Sequence, residues 1–350
     1  MRVLALTNAW PHPEKPWYGS FVVRQIESLP TVGVDVDVKA IQGHFSPLRS
    51  LPAYARAART VLGLNFRPRR YDVIHAHFGH CGLLACLQLR YPVVLTYYGY
   101  DIDMPAEHRE GLRTKLERRL FIELSRLFAA TAVQSRRELG CLPRRARPFC
   151  TVIPSGVDRD LFRPLERAEA RRRVTWNASE NPVTLFPYDP GRFTKRYALA
   201  EAAVGEARKR IPDLELVVCD RVAPDQVPDY MNAADALIVS SVAEGSPNVV
   251  KEAMACNLPI VSVDVGDVRD VIDGTRNCRI CPPEADLLGQ ALVEVLQARP
   301  ERSDGRERSA HLGVGEIAGR LTKVYESAAG RGPGVLGFLR RGRSPACAED

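Results

Sequence analysis

Short apolar runs that read as β-strands alternate with helix-patterned segments along almost the whole chain, and this alternation limits the fold more than any other feature. Residues 2–7 are followed by a helix pattern near 21–29, a strand pattern at 34–41 and a helix pattern near 53–62. The rhythm continues through 71–77, a small-residue helix near 82–89, a strand at 93–97, a long helix near 107–127, and strands at 129–133 and 150–153. Strands separated by helices cannot pair as hairpins, so they line up in parallel with helices on the faces. After Pro154-Ser155-Gly156-Val157-Asp158 and Pro164 the rhythm restarts: strands at 183–187, 214–219, 236–241, 259–265 and 278–281, with helices near 198–210, 229–233, 249–256 and 285–297 between and after them. The expected architecture is α/β, with two doubly wound Rossmann-like domains. They span 1–155 and 166–300, joined by a turn-rich linker at 156–165 and followed by a helix within 306–329 and a basic tail at 330–350 expected to be mobile. The 350 residues suit two cores better than one.

Composition excludes several classes of function. Apolar residues make up 45% of the chain and charged residues 26%, as in ordinary globular protein. No apolar run approaches the roughly 18 residues of a membrane span, and residues 3–6 form a run too short for a signal peptide. The nine cysteines are an odd number without a framework, which fits reduced thiols and a cytoplasmic location. Cys278 and Cys281 form the one C-x-x-C and read as two thiols on a strand, while Asn177-Ala178-Ser179 matches a glycosylation sequon by pattern only. The net charge of +7 is clumped at Arg144, Arg145 and Arg147, at Arg171, Arg172 and Arg173, and at Arg340, Arg341 and Arg343, which favours phosphate-rich partners. Zinc-finger spacing and aromatic-basic nucleic-acid motifs are missing, so no nucleic-acid partner is expected.

The most chemically informative segment is Glu244-Gly245-Ser246-Pro247-Asn248-Val249-Val250-Lys251-Glu252. Pro247 is pre-shaped for a helix start, and a helix opening presents free N–H groups that favour anions. Glu244 before that opening and Glu252 just past its first turn can both accept sugar or ribose hydroxyls. A helix N-terminus also gathers acids for its dipole alone, so the pair by itself leaves function and plain electrostatics equally open. Its position between two strand patterns places it at a strand's C-terminal end, where open α/β sheets bind ligands. Arg192 and Lys195 follow another strand in the same way, within Gly191-Arg192-Phe193-Thr194-Lys195-Arg196. Two cations there can stabilise charge that builds on a departing diphosphate, and Arg196 is an alternative to Lys195.

The first half supplies further candidates. His75 and His77 alternate on a strand and point to one face near its end, with His80 beyond, but no downstream residues complete a metal site, and no metal or cofactor is expected. Gly19 sits in the loop after the first strand, and Tyr97-Tyr98-Gly99-Tyr100-Asp101 follows a later one. Gly99 permits close backbone approach, and Asp101 either accepts a ligand hydroxyl or caps the next helix. Asp101-Ile102-Asp103 spells D-x-D, a weak match here, and Asp103 reads as solvent-facing. In the helix near 107–127, Leu112, Leu116, Leu120, Leu124 and Leu127 share one face among Arg109, Arg113, Lys115, Arg118, Arg119 and Arg126. Burial against a core is the commoner use of such a face; the other is lying on an anionic membrane surface.

The segment 244–252, followed by Ala253-Met254-Ala255 and Leu258-Pro259-Ile260-Val261, resembles the E-x7-E motif of retaining family-4 glycosyltransferases, with Asn257 where a glycine is common. The resemblance runs from residue 1 to about residue 297. It implies the GT-B arrangement, two Rossmann-like halves facing across a cleft, with a last helix crossing back onto the first domain. It also implies metal-independent transfer of a sugar from a nucleoside diphosphate-sugar to a hydroxyl acceptor. Glu252 would bind ribose hydroxyls, Glu244 the donor sugar, Arg192 and Lys195 the diphosphate, and the Gly245, Ser246, Pro247, Asn248 and Val249 segment its oxygens. Gly19 would approach the donor phosphates or the acceptor, and His77 would line the cleft near the donor sugar. Gly99 and Asp101 would face the acceptor, although Tyr98 stands where relatives carry a histidine. Lipid-linked acceptors in the family imply a cytoplasmic enzyme, peripheral on the inner face of the plasma membrane, in polysaccharide biosynthesis. The rivals are a phosphorylase or epimerase of the same architecture, a non-catalytic nucleotide-sugar-binding protein and a metal-dependent hydrolase.

Overall fold

A computed structural model describes all residues except 14, 16, 43–49, 104–110, 177–179, 300 and 332–350, and describes Tyr100 by its backbone. The loop at 43–49, the sequon at 177–179, the start of the helix near 107, and Arg340, Arg341 and Arg343 lie outside the described residues. The chain divides into two compact units, Met1–Ser155 with the stretch from Val314 onward, and Gly156–Gly313.

In the first unit β1 (Arg2–Thr7), α1 (Ser20–Ser28), β2 (Asp35–Ala40), α2 (Leu51–Gly63), β3 (Val73–His77), α3 (Gly79–Ala85), β4 (Val93–Thr96), α4 (Leu112–Leu124), β5 (Ala130–Val133), α5 (Arg136–Cys141) and β6 (Cys150–Val152) alternate, and every one of them but α5 is expected from the sequence. The strands form one parallel sheet in the order β2-β1-β3-β4-β5-β6. β3, β4 and β5 are buried throughout, and β4 accordingly reads as a nearly continuous apolar run rather than an alternating one. One face of the sheet packs on α2, α3 and the end of α4 through Tyr54, Val61, Cys81, Ala85 and Phe121.

In the second unit α6 (Arg167–Arg173), β7 (Val183–Phe186), α7 (Tyr197–Arg208), β8 (Glu215–Val218), α8 (Val227–Ala233), β9 (Ala236–Val239), α9 (Asn248–Ala255), β10 (Ile260–Val263), α10 (Val268–Ile272), β11 (Cys278–Cys281), α11 (Ala285–Gln297) and α12 (Gly305–Arg308) build a parallel sheet ordered β11-β10-β9-β7-β8. The chain then enters α13 (Val314–Arg331), whose Ile317, Leu321, Val324, Tyr325 and Ala328 pack in the first unit against Val3, Leu29, Val73 and Val94. Residues 330 and 331, expected in the tail, are the end of this helix.

Short elements are not apparent in the sequence because they are set by local caps rather than by periodicity. α5 begins at Ser135, whose Oγ accepts the Glu138 N–H at 3.2 Å, a capping-box spacing. α6 carries the Arg171-Arg172-Arg173 clump, expected to favour a phosphate-rich partner; the structure corrects this. Arg171 is buried and bonds Asp235 Oδ2 at 3.1 Å and the Ala233 and Asn181 carbonyls, while Arg173 pairs with Glu169 and Asp229. Arg147 likewise donates to the Leu142 and Gly140 carbonyls. Asp103, expected to face solvent, pairs with Arg137 Nε at 2.6 Å. Leu112, Leu116 and Leu120 correct the core reading of their helix, being exposed, whereas Leu124 packs partly buried against the core beside Phe121 and Ile122, and Leu127 is partly buried. Among the described residues no helix is long and apolar enough to cross a membrane.

Candidate functional site

Each sheet reverses its winding direction once, and a reversal splays the two flanking loops apart to leave a crevice at the strands' C-terminal ends. In the second unit β7 connects outward to β8, and the chain then returns to β9 on the other side of β7. The loops after β7 and β9 therefore meet. Main chain and side chains stitch them together: Val242 N–H donates to the Thr194 carbonyl at 2.8 Å, and Ser240 Oγ donates to the Lys195 carbonyl at 2.8 Å. Arg196 donates to the Ser240 and Ser241 carbonyls at 2.7 and 3.0 Å, which places it as a brace for these loops rather than as the alternative to Lys195.

Lys195, which is buried, and Glu244, which is partly buried, come one from each loop and form an ion pair. Ser241 Oγ donates to the same Glu244 oxygen at 2.7 Å, and the Lys195 Nζ lies 3.9 Å from the Tyr188 ring centroid, a cation–π contact. Burial lowers the Lys195 pKa, Glu244 opposes that shift, and nearby Arg192 adds to it. Arg192 itself is exposed beside the pair. The hydroxyl of Tyr188 is held protonated by burial and by the Glu244 carboxylate. Opposite charges thus face each other directly in the crevice.

The third wall is α9. Pro247 is its N-cap residue, and Asn248 and Val249 open its first turn, where N–H groups lack intrahelical acceptors. Glu252 is buried on this helix. The Gly245-Ser246 turn is fixed by two residues that were not among the sequence expectations, Lys251 and Asp267. Lys251 Nζ donates to Ser246 Oγ, and that hydroxyl donates to Asp267 Oδ2. Lys251 is fully buried, and Asp267 Oδ1 is a buried acceptor without a hydrogen-bond partner among the described residues. Burial raises the Asp267 pKa against the pull of Lys251 and Ser246. The signals that could have found them are positional: Lys251 directly precedes Glu252, and Asp267 follows a strand end.

Gly266 belongs to the same wall. Its φ is +61°, and a Cβ there would sit 2.6 Å from the Gly245 carbonyl oxygen and 3.0 Å from that of Glu244. Gly266→Ala is therefore expected to strain its own backbone and push the Glu244–Gly245 turn aside, at about 1–3 kcal/mol. A thermal melt reads the loss; an unchanged midpoint would mean that the turn yields without strain.

In the first unit the reversal lies between β1 and β3. Gly19 caps α1 at φ +72°, and a Cβ would meet the Ala9 carbonyl oxygen at 2.4 Å, so a close turn alone requires this glycine. His75 and His77 leave β3 on one face with ring centroids 4.0 Å apart. His75 is saturated by Thr96 Oγ1 and the Tyr325 hydroxyl, each at 2.7 Å. His77 Nδ1 lies 2.9 Å from the Tyr98 hydroxyl, which donates to Gln25 Oε1 at 3.2 Å. With that proton committed, Nδ1–H is the donor to Tyr98, and Nε2 is left an acceptor. Nε2 is buried and has no hydrogen-bond partner among the described residues. Burial pushes the His77 pKa down to about 3, so the ring is neutral at any ordinary pH.

Gly99 has φ +46°, and its N–H donates to Glu138 Oε1 at 3.0 Å; Asp101 Oδ2 accepts the Tyr98 N–H at 3.2 Å. Asp101 thus takes the capping alternative and is buried. Glu138, absent from the sequence expectations despite its capping-box spacing from Ser135, also accepts the Gln134 N–H at 2.8 Å. Burial pushes the Asp101 pKa up to about 7 and the Glu138 pKa up to about 8. Both carboxyls keep protons in the folded chain where the unfolded chain has released them, so they favour folding less as pH rises towards 8. His75 and His77, depressed by burial, act in the opposite direction only below about 6.5, the unfolded histidine value. Stability is therefore expected to fall between about pH 6.5 and 8, where the histidines no longer oppose the carboxyls, by about 1.4 kcal/mol per pH unit for each carboxyl in its window. Melts across this range check it, and Glu138→Gln should flatten the fall; a rise in stability through that range would contradict the assignment.

Among the described residues no group of three His, Cys, Asp or Glu side chains is placed to hold a metal ion. The family model for Glycosyltransferase Family 4 matches residues 2–161, and that for Glycosyl transferases group 1 matches residues 197–298. A glycosyltransferase assigned to teichuronic acid biosynthesis, TuaC of Bacillus subtilis, is 24% identical, with 93% of this chain and 98% of TuaC aligned. The D-inositol 3-phosphate glycosyltransferase of Thermobispora bispora is 29% identical over 75% of this chain and 72% of its own length. Among solved structures, sucrose-phosphate synthase from Thermosynechococcus elongatus superposes with a TM-score of 0.72 at 18% identity, covering 93% of this chain and 98% of its own. Anabaena HepE in complex with UDP-glucose gives a TM-score of 0.66 at 15% identity, covering 93% and 100%.

Proposed function

The chain belongs to the family 4 and group 1 glycosyltransferases of the GT-B type, and from that premise we propose that it moves a sugar, with retention at the anomeric carbon, from a nucleoside diphosphate-sugar to a hydroxyl acceptor without a metal ion. The observation that carries the reading is the Lys195–Glu244 pair set against the opening of α9. Sugar transfer leaves negative charge on the departing diphosphate, and fixed cations and helix-start N–H groups offset it without rearranging. Lys195, Arg192 and the amides at Asn248 and Val249 take that part. Glu244 accepts hydroxyls of the donor sugar and Glu252 those of the ribose, while Ser246, Lys251 and Asp267 keep the Gly245 turn in place. Lys195 and Ser241 both hold Oε1 of Glu244, which leaves Oε2 to accept a sugar hydroxyl. The family resemblance implies attack by the acceptor hydroxyl on the face the diphosphate leaves, with a leaving phosphate oxygen receiving the acceptor's proton. His77 serves through the Nε2 lone pair, accepting a substrate hydroxyl, rather than as a cation. Gly19, Gly99 and Asp101 shape the acceptor-side backbone.

HepE was solved with UDP and UDP-glucose, and a starch synthase IV domain with ADP, which makes uridine and adenosine diphosphates the first to test. A thermal-shift screen of nucleoside diphosphates and their sugars should give a stabilised melt with one base. NMR of the product from that donor and a hydroxyl acceptor should then show the donor's anomeric configuration kept. An inverted product, or turnover that requires orthophosphate, would overturn the reading.

A further inference from the structure

Gln25 is a polar residue on the inner face of α1. Val22 and Ile26 on that face pack into an apolar cluster with Ala5, Ala9 and Phe78, and Gln25 is buried beside them. An amide in such a place costs free energy unless it is hydrogen-bonded. Its Oε1 accepts the Tyr98 hydroxyl at 3.2 Å, and the oxygen of that hydroxyl lies 2.9 Å from His77 Nδ1. The Tyr98 ring is clamped by Phe21 and Phe78, with centroids 5.1 and 4.6 Å away, and its N–H is tied to Asp101. Burial raises the Tyr98 pKa, and Asp101 and Glu138 add to the shift, so the phenol keeps its proton. A hydroxyl has one proton and can give it to one of two neighbours. Given to Gln25, it leaves the phenol oxygen to accept Nδ1–H, and the bare nitrogen of the neutral ring is Nε2. Given to Nδ1, it would put the ring proton on Nε2 instead.

We infer that Gln25 is a positioning residue for His77: by taking the Tyr98 proton it holds the ring as the Nδ1–H tautomer, so that Nε2 meets a ligand as an acceptor, matched to a hydroxyl and not to a phosphate oxygen. The tautomer of a histidine follows from the bond its other nitrogen makes, and here that bond is settled two residues away, on α1. His75 does not compete for these groups, since both of its nitrogens are engaged by Thr96 and Tyr325. Nε2 of His77 is buried and has no partner among the described residues, so a ligand that brings a proton to it satisfies an acceptor that is otherwise unpaired. A sugar hydroxyl brings that proton. The oxygens of a diphosphate ester carry none at neutral pH, and their lone pairs would face the lone pair of the ring. That a hydroxyl occupies Nε2 rests on the proposed sugar transfer, whereas the control of the tautomer by Gln25 does not.

NMR of the full chain labelled with 15N-histidine and free of ligand tests the tautomer, with the His77 signals identified by their loss in H77F. At neutral pH the protonated nitrogen should be Nδ1. Q25M, which fills a similar volume without an oxygen, should move the proton to Nε2, and Y98F should do the same because Nδ1–H then lacks its acceptor. Q25E keeps an oxygen for Tyr98 and should keep Nδ1–H. A merely structural Gln25 would shift the melt of its variants and leave the tautomer alone. A proton on Nε2 in the unaltered chain, or Nδ1–H retained in both Q25M and Y98F, would overturn the proposal. For the ligand, Q25M should lower kcat/KM for sugar transfer about tenfold, the worth of one hydrogen bond, with affinity for the nucleoside diphosphate unchanged. An unchanged kcat/KM in Q25M with its tautomer moved would overturn the hydroxyl contact. Failure of the unaltered chain to transfer sugar, alongside the expected tautomers, would instead count against the transfer reaction and leave the role of Gln25 standing.

Discussion

Lys195→Ala is expected to lower sugar transfer by about a hundredfold or more, the usual cost of removing one preorganised group that faces developing charge. The loss should fall on kcat and on affinity for the nucleoside diphosphate together, because the ammonium meets the phosphate before and during bond breaking. A second consequence is structural. Removing the cation leaves the partly buried Glu244 carboxylate without its counter-charge, so a lower melting midpoint should accompany the kinetic loss. Arg192→Ala separates the two effects, since this side chain is exposed and the hydrogen bonds that hold its loop run through its backbone. Its melt should stay unchanged while diphosphate affinity and turnover fall by a smaller factor. Full turnover in both variants would place the diphosphate elsewhere in the protein.

Asp235→Ala is expected to cost the second unit about 3–5 kcal/mol, as breaking a buried ion pair does. Asp235 immediately precedes β9 and is buried. Its carboxylate pairs with Arg167, with Arg171 at 3.1 Å and with Arg299 at 3.4 Å, and it also accepts the Val183 N–H that starts β7 at 2.8 Å. Without it, three guanidinium groups face one another across the strands whose far ends carry Lys195 and Glu244. The melting midpoint should drop by about 10 °C, and calorimetry on the full chain reads it. Asp235→Asn, which keeps an acceptor for Val183 but loses the charge, should lie between. A drop of only a degree or two in Asp235→Ala would mean that water enters and solvates the arginines.

The two expectations differ in how far they can be read from the chain. Lys195 and Glu244 each follow a strand pattern directly, and the rule that ligands gather at strand C-terminal ends singles them out by their place in the sequence. Asp235 precedes a strand and pairs with arginines far away in the sequence, one of which, Arg171, looks in sequence like part of an exposed basic clump. Glu138 lies within reach of sequence reasoning through its spacing from Ser135, whereas its bond to Gly99 does not.

The order of the strands and the longer helices, the two-unit α/β class and the loops that carry chemistry came from the sequence alone. Period, apolar runs and turn residues are local properties, and local properties survive without knowledge of neighbours. Tertiary structure decided what those patterns meet. It joined Lys195 to Glu244 as a pair, spent Asp101 on backbone N–H groups, fixed the Gly245 turn through Lys251, Ser246 and Asp267, and turned Leu112, Leu116 and Leu120 outward. Pairing and exposure depend on which distant segment lies opposite a side chain. A helical line of leucines is the same in sequence whether a sheet or open solvent faces it.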